Sequence, residues 1–219
     1  VEKGFAYVAS DGVYMSISKV PNYGALAGLN HRHEENNQSR VNNDEYSKEN
    51  PQDFTLWKFQ TEEEKAREIG WDTPWGKGRP GWHIECSAMV MRAFGNTFGN
   101  TIDIHTGGED LLFPHHTNEI AQSECANSAS LANYWLHMTF LNVAGDKMSK
   151  SKRNFYVLED LVKEGISPLA FRFLLLQAHY KSQLNFTLES ANASQAGLIR
   201  YISEYKKLKV KVALLARNA

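Results

Sequence analysis

Apolar and polar residues alternate along Phe5-Ala6-Tyr7-Val8 and again along Val13-Tyr14-Met15-Ser16-Ile17, with Asp11-Gly12 between the two runs. Period-two alternation on both sides of a turn dipeptide predicts a β-hairpin over residues 4 to 20. From Gly24 to Pro51 the chain is polar, running through Asn30-His31-Arg32-His33-Glu34-Glu35 and Asn42-Asn43-Asp44-Glu45, and reads as a surface insertion or loop. His31 and His33 have no cysteine or third histidine near them in sequence, so they read as solvated side chains and not as metal ligands. Phe54-Thr55-Leu56-Trp57 has the composition of a strand, and residues 71 to 82, dense in Gly, Pro and Trp, suit a shaped loop.

Residues 83 to 94 carry apolar positions at helical spacing, Ile102-Asp103-Ile104-His105 predicts a short buried strand, and Pro114 is placed to open a helix reaching Ala126. Strand alternating with helix points to an α/β sheet. Phe140-Leu141-Asn142-Val143 predicts another strand, closed by the tight turn Ala144-Gly145-Asp146. Beyond Phe155 the period becomes helical over 158 to 164, 168 to 179 and 188 to 215, which sets a boundary between α/β and helical parts near residue 156.

Composition narrows the options. The 219 residues are 42% hydrophobic and 22% charged, enough for one or two domains with a core. The formal net charge of −1 provides no overall cationic field, so a nucleic-acid partner needs local basic patches. No run approaches the roughly 18 apolar residues of a membrane helix, and Val1-Glu2-Lys3-Gly4 lacks the apolar core of a signal peptide, so a cytoplasmic protein is expected. Two cysteines, Cys86 and Cys125, make no disulfide framework and leave a metal ligand or buried thiols as alternatives.

Three constellations carry chemistry. His115 and Glu119 are four residues apart after Pro114, a spacing that turns both side chains to one helix face, and Cys86 can add a thiolate. Three mixed S, N and O donors with one position left open describe a catalytic or substrate-binding zinc, although spacing alone favours a packed cysteine and a hydrogen-bonded histidine. Lys147-Met148-Ser149-Lys150-Ser151 places two ammonium groups just after a tight turn, where they can neutralise charge on a departing pyrophosphate, although by itself so short a run reads as a solvated loop. Gly107-Gly108 after the strand, followed by Asp110, allows close backbone approach of a nucleotide and a ribose contact, or a bare turn.

Taken together, Gly78-Arg79-Pro80-Gly81-Trp82-His83-Ile84-Glu85-Cys86, then Asp103-Ile104-His105, then Phe113-Pro114-His115-His116 with Asn118-Glu119, then the KMSKS run Lys147 to Ser151, resemble cysteinyl-tRNA synthetases in order and approximate spacing. The resemblance covers residues 3 to about 205. It implies a partial class I synthetase Rossmann-type α/β core with a helical C-terminal segment: a connective insertion over 1–75, the second half of the core over 76–156, and a helical stem-contact region over 157–219. It further implies one Zn2+ held by Cys86, His115, Glu119 and a cysteine not present in these residues. Trp82 and His105 match the surroundings of bound L-cysteine, and Gly107, Gly108, Asp110 and Lys150 the ATP site. Lys150 and Lys147 match the catalytic loop lysines, and His116 is expected to act behind the ligands. The implied reaction uses ATP with Mg2+ to form cysteinyl-adenylate, then charges tRNA(Cys). Lys152-Arg153, Thr106 and Glu109 depart from common family residues without removing a charge the mechanism needs. No histidine-rich HIGH-type motif is present, so these residues alone are expected to be inactive. The alternatives are a cysteine ligase of low-molecular-weight thiol biosynthesis and a non-catalytic zinc- or tRNA-binding fragment.

Overall fold

The structure is a computed structural model that describes residues 1–29, 50, 52–98, 101–148 and 154–217, with backbone alone for 96–98, 147 and 215–217. Most of the polar run 24 to 51, including His31 and His33, lies outside the described residues. Packing divides the chain into two compact units, Val1–His137 and Met138–Ala219.

In the first unit, β1 (Ala6–Val8) and β2 (Gly12–Met15) form the expected antiparallel hairpin, with Ala6 opposite Met15 and Val8 opposite Val13. β2 then pairs antiparallel with β3 (Phe54–Phe59), and β3 with β4 (Gly78–Pro80). Every residue of β2 is buried, with Tyr14 at 0% exposure, because the strand has neighbours on both edges. β4 falls in the stretch the sequence marks as loop; three residues carrying a Gly and a Pro show no alternation to detect. Between β3 and β4, the short helix α1 (Glu62–Ala66) is capped reciprocally by Thr61 and Glu64, and the Arg79 guanidinium on β4 donates to Glu64 at 2.8 Å.

The helix α2 (Trp82–Phe98) follows and packs on α3 (Thr117–Asn127). β5 (Ile102–Gly108) pairs with β6 (Ala132–Met138). The expected buried strand at Ile102 is longer than anticipated and largely open: among the described residues it has β6 alone beside it, and Ile104 is 57% exposed. Pro114 does not stand at the first position of α3. A separate wide turn spans Leu112–His116, with Phe113 extended at φ −140° and ψ 131°, before α3 starts at Thr117.

The second unit contains β7 (Leu141–Val143), antiparallel to β8 (Asp146–Lys147) and parallel to β9 (Leu184–Phe186). The turn from β7 to β8 places Ala144 and Gly145 at φ 50° and 87°, the left-handed region that glycine tolerates best. Three helices follow, α4 (Leu158–Lys163), α5 (Pro168–Leu175) and α6 (Leu188–Arg217). Ser167 caps α5 by accepting from the Ala170 amide at 3.1 Å, with Pro168 just inside. Val143, Leu161, Ile166, Ala170, Leu174, Phe186 and Ala191 form one core, with Leu141, Met148 and Tyr156 against it. The packing division therefore falls at residue 137/138 and not near 156, since β7 shares its apolar side chains with the helices.

A second core joins the hairpin region to α3: Met15, Ile17, Val20, Phe54 and Ala121 are buried together, with Tyr23 and Cys125 beside them. Asp53 is 1% exposed and holds this junction, accepting from the Ile17 amide at 2.9 Å and from the Tyr7 hydroxyl at 2.9 Å. Asp53→Ala leaves the buried Ile17 amide without this acceptor. The variant should lose roughly 1.5–3 kcal/mol of unfolding free energy in urea denaturation, whereas Glu62→Ala, an exposed helix charge, should change it little.

Candidate metal centre

α3 begins with an unusual run of buried polar residues: Thr117, Asn118, Glu119, Gln122 and Ser123. Each neutral member is tied to another element. The Thr117 hydroxyl donates to the Leu112 carbonyl at 2.8 Å, and Tyr23 donates to Asn118 Oδ1 at 2.5 Å. Gln122 Nε2 reaches the His83 carbonyl at 2.5 Å and Ser87 Oγ at 2.6 Å, while Ser123 Oγ donates to Ser87 Oγ at 2.8 Å. Through Gln122 and Ser123 this lattice ties α3 to the start of α2, and through Thr117 and Asn118 to the turn before it and to Tyr23.

Glu119 is the exception. Its exposure is 0%, yet neither carboxylate oxygen has a hydrogen bond among the described residues. His115 Nε2 lies 2.9 Å from Oε1 and His105 Nε2 lies 3.4 Å from Oε2, close enough for attraction but not aligned as hydrogen-bond donors. Burial accordingly raises the Glu119 carboxyl to about 7. A buried, orphaned carboxylate is costly, and a cation beside it removes that cost.

The surrounding donors suit one. Donor atoms of Cys86, His115 and Glu119 lie within 4.8 Å of one another, and so do those of His105, His116 and Glu119. The i,i+4 spacing of His115 and Glu119 works as the sequence suggests, although His115 belongs to the turn before α3, because the backbone is right-handed helical through His116 and Thr117. Burial lowers His105 and His115 from the usual imidazole range. His83 falls to about 4 through burial and the His115 ring, and His116 to about 3 through burial and the neighbouring His105, His137 and His115 rings. Neutral imidazoles with free lone pairs are the form that binds metal. Burial, then the Glu119 and Glu85 charges, raise the Cys86 thiol, a shift that a bound cation opposes.

Aromatic rings enclose the cluster. Trp82 packs on His115 with centroids 4.2 Å apart while staying 61% exposed, so it forms an outer wall. Trp135 on β6 packs against His105 at 4.7 Å and His116 at 5.2 Å, and His137 accepts from or donates to His116 Nδ1 at 2.8 Å. Gly107 is needed beside this group: a Cβ there would stand 2.6 Å from His116 Cε1.

Cys86, His115, Glu119, Trp82 and His105 are thus brought together, and Gly107 touches their edge through His116. Gly108 and Asp110 follow at the end of β5, with Asp110 exposed in the turn Glu109–Leu111. Lys147 ends β8 in the second unit, its side chain outside the description, and Lys150 lies outside the described residues. Sequence reasoning gave no role to His83, Trp135 or His137. For the last two a signal existed, since Trp135 and His137 are two apart and share one face of a strand.

No described helix is long and apolar enough to cross a membrane. Residues 1–196 match the family described as tRNA synthetases class I (C) catalytic domain. A Cysteine--tRNA ligase of Brachyspira hyodysenteriae is 52% identical over 200 residues, covering 91% of this chain and 41% of that protein. A Cysteine--tRNA ligase of Prochlorococcus marinus is 52% identical over 198 residues, covering 89% and 39%, and one of a Cyanothece strain is 48% identical over 196, also covering 89% and 39%. The chain spans about two fifths of the length of these curated relatives. Among solved structures, a LeuRS of Agrobacterium radiobacter, in a ternary LeuRS-tRNA-LeuAMS complex, shares the fold with a TM-score of 0.50 at 16% identity, over 66% of this chain and 22% of that one. The family match over residues 1–196 and relatives about half identical across nine tenths of the chain establish that this protein belongs to the class I (C) tRNA synthetases, within their catalytic domain.

Proposed function

We propose that this chain is part of a cysteine--tRNA ligase that activates L-cysteine with ATP and charges tRNA(Cys), and that its donor cluster selects the thiol through one zinc ion. The observation that carries the metal reading is the fully buried Glu119 carboxylate, without hydrogen bonds among the described residues and within reach of Cys86 and His115. These three residues would hold the ion, with a further ligand from elsewhere in the protein. When bound, zinc supplies a soft Lewis acid that favours a thiolate, whose free thiol titrates at about 8.5, over a hydroxyl that gains far less.

In the activation step a cysteine carboxylate oxygen attacks the α-phosphorus of ATP, and the bond to pyrophosphate breaks. The 3′-terminal ribose of the tRNA then attacks the acyl carbon and AMP leaves. We assign Trp82 and His105 to the walls around bound cysteine, consistent with their rings at the cluster edge. Gly107, Gly108 and Asp110 are assigned to ATP, with Lys150 and Lys147 assigned to the charge that develops on the phosphates and Mg2+ accompanying the nucleotide. The same reading divides the chain by descent into an insertion over 1–75, catalytic core over 76–156 and a stem-contact region over 157–219, a division distinct from packing.

Two measurements test this reading in the full-length protein. Cys86→Ser should lower zinc content and cysteine binding together while ATP binding survives, and cobalt-substituted protein should gain thiolate charge-transfer absorption on adding cysteine but not serine. Full zinc content in Cys86→Ser, or a cobalt spectrum indifferent to cysteine, refutes the metal assignment. Separately, Lys150→Ala should slow cysteine-dependent ATP–pyrophosphate exchange by roughly 10²–10³-fold in kcat, with cysteine KM little changed. A normal kcat with raised cysteine KM removes Lys150 from the phosphate site.

A further inference from the structure

The proposed ligand His115 has two ring nitrogens, and only one of them faces Glu119. Nε2 is 2.9 Å from Glu119 Oε1, whereas Nδ1 points the other way and lies 2.9 Å from Nδ1 of His83. A hydrogen bond between two imidazole nitrogens needs one proton between them. A histidine that ligates through Nε2 must be neutral with its proton on Nδ1, so His115 has to be the donor and His83 the acceptor. His83 then carries its own proton on Nε2. In the opposite arrangement, His83 donates from Nδ1, the His115 proton moves to Nε2, and the nitrogen facing Glu119 has no lone pair to offer.

From this geometry we infer that His83 is a positioning residue that fixes His115 in the ligating tautomer, a role that rests on the zinc reading given above. The surroundings hold His83 to that task. Its backbone carbonyl accepts from Gln122 Nε2, which ties the first turn of α2 to α3. Its ring is trapped between Phe54, edge-on at 5.7 Å between centroids, and Trp82 at 5.5 Å, and it meets His115 at 62° with centroids 4.8 Å apart. The ring therefore has little freedom to swing its Nδ1 away from His115. Most ligating histidines lean on a carboxylate, a carbonyl or water; here the partner is a second imidazole.

The variants H83N, H83F and H83L separate the acceptor from the ring. Asn can present Oδ1 where His83 now presents Nδ1, while Phe keeps the ring and Leu keeps only bulk. Zinc affinity of the full-length protein, measured by competition with a chromophoric chelator, should fall roughly 10–100-fold in H83F and in H83L, the usual loss when a partner behind a ligand is removed. H83N should keep most of the parent affinity. Melting in excess chelator shows whether either apolar variant is misfolded, and agreement between Phe and Leu removes shape as the cause. Parent-like affinity in H83F and H83L overturns the inference, as does H83N binding as weakly as they do. A parent protein that binds no zinc at all overturns the metal reading itself, and the inference with it.

Discussion

The architecture around the candidate site follows from one constraint, the burial of a carboxylate that nothing in the described chain neutralises by hydrogen bonding. Glu119 lies at 0% exposure at the head of α3. Water would ordinarily solvate such a group, and excluding it requires close walls: the turn Leu112–His116 on one side and α2 on another. Those walls bring polar groups of their own, and most are paired: Thr117, Asn118 and Ser123 through their oxygens and Gln122 through Nε2, while Gln122 Oε1 has no partner among the described residues. The lattice through Thr117, Asn118, Gln122 and Ser123 is thus a consequence of keeping a charge-bearing helix start dry.

The hairpin region supports this arrangement from outside the cluster. Tyr23, whose hydroxyl burial pushes well above its usual range, bonds the residue immediately before Glu119, and Asp53 anchors the segment that carries Tyr23 through the Ile17 amide. A region that resembles a connective insertion by sequence is, in packing terms, a buttress for the helix that carries Glu119. The same logic bears on the glycine at 107: the His116 ring and Leu111 already fill the space a side chain would need there.

Much of this was legible in the chain. The β1–β2 hairpin announces itself through alternation about Asp11-Gly12, and His115 with Glu119 through a four-residue spacing that survives the break at Phe113. What was not legible has physical reasons. β4 and β9 are three residues each, too short for a period. The exposure of β5 depends on how many strands lie beside it, which no local pattern encodes. The partnership of Cys86 with a helix some thirty residues later, and of His83 with His115, arises only when α2 and α3 pack, so motif resemblance pointed to the first and nothing pointed to the second. Packing also set the unit boundary, because Val143 shares a core with residues far along the chain.

The environment of Cys86 bears on chemical durability. Thiols are attacked by oxidants and alkylating agents as thiolates, at a rate set by how much thiolate exists near neutral pH. Burial, followed by the charges of Glu119 and Glu85, holds this sulfur in its protonated form when no cation is present. The group that would become a strong ligand on loading is therefore a poor nucleophile while it waits. Oxidants and alkylating agents therefore meet this sulfur as the slower-reacting thiol, which favours its survival until a cation binds.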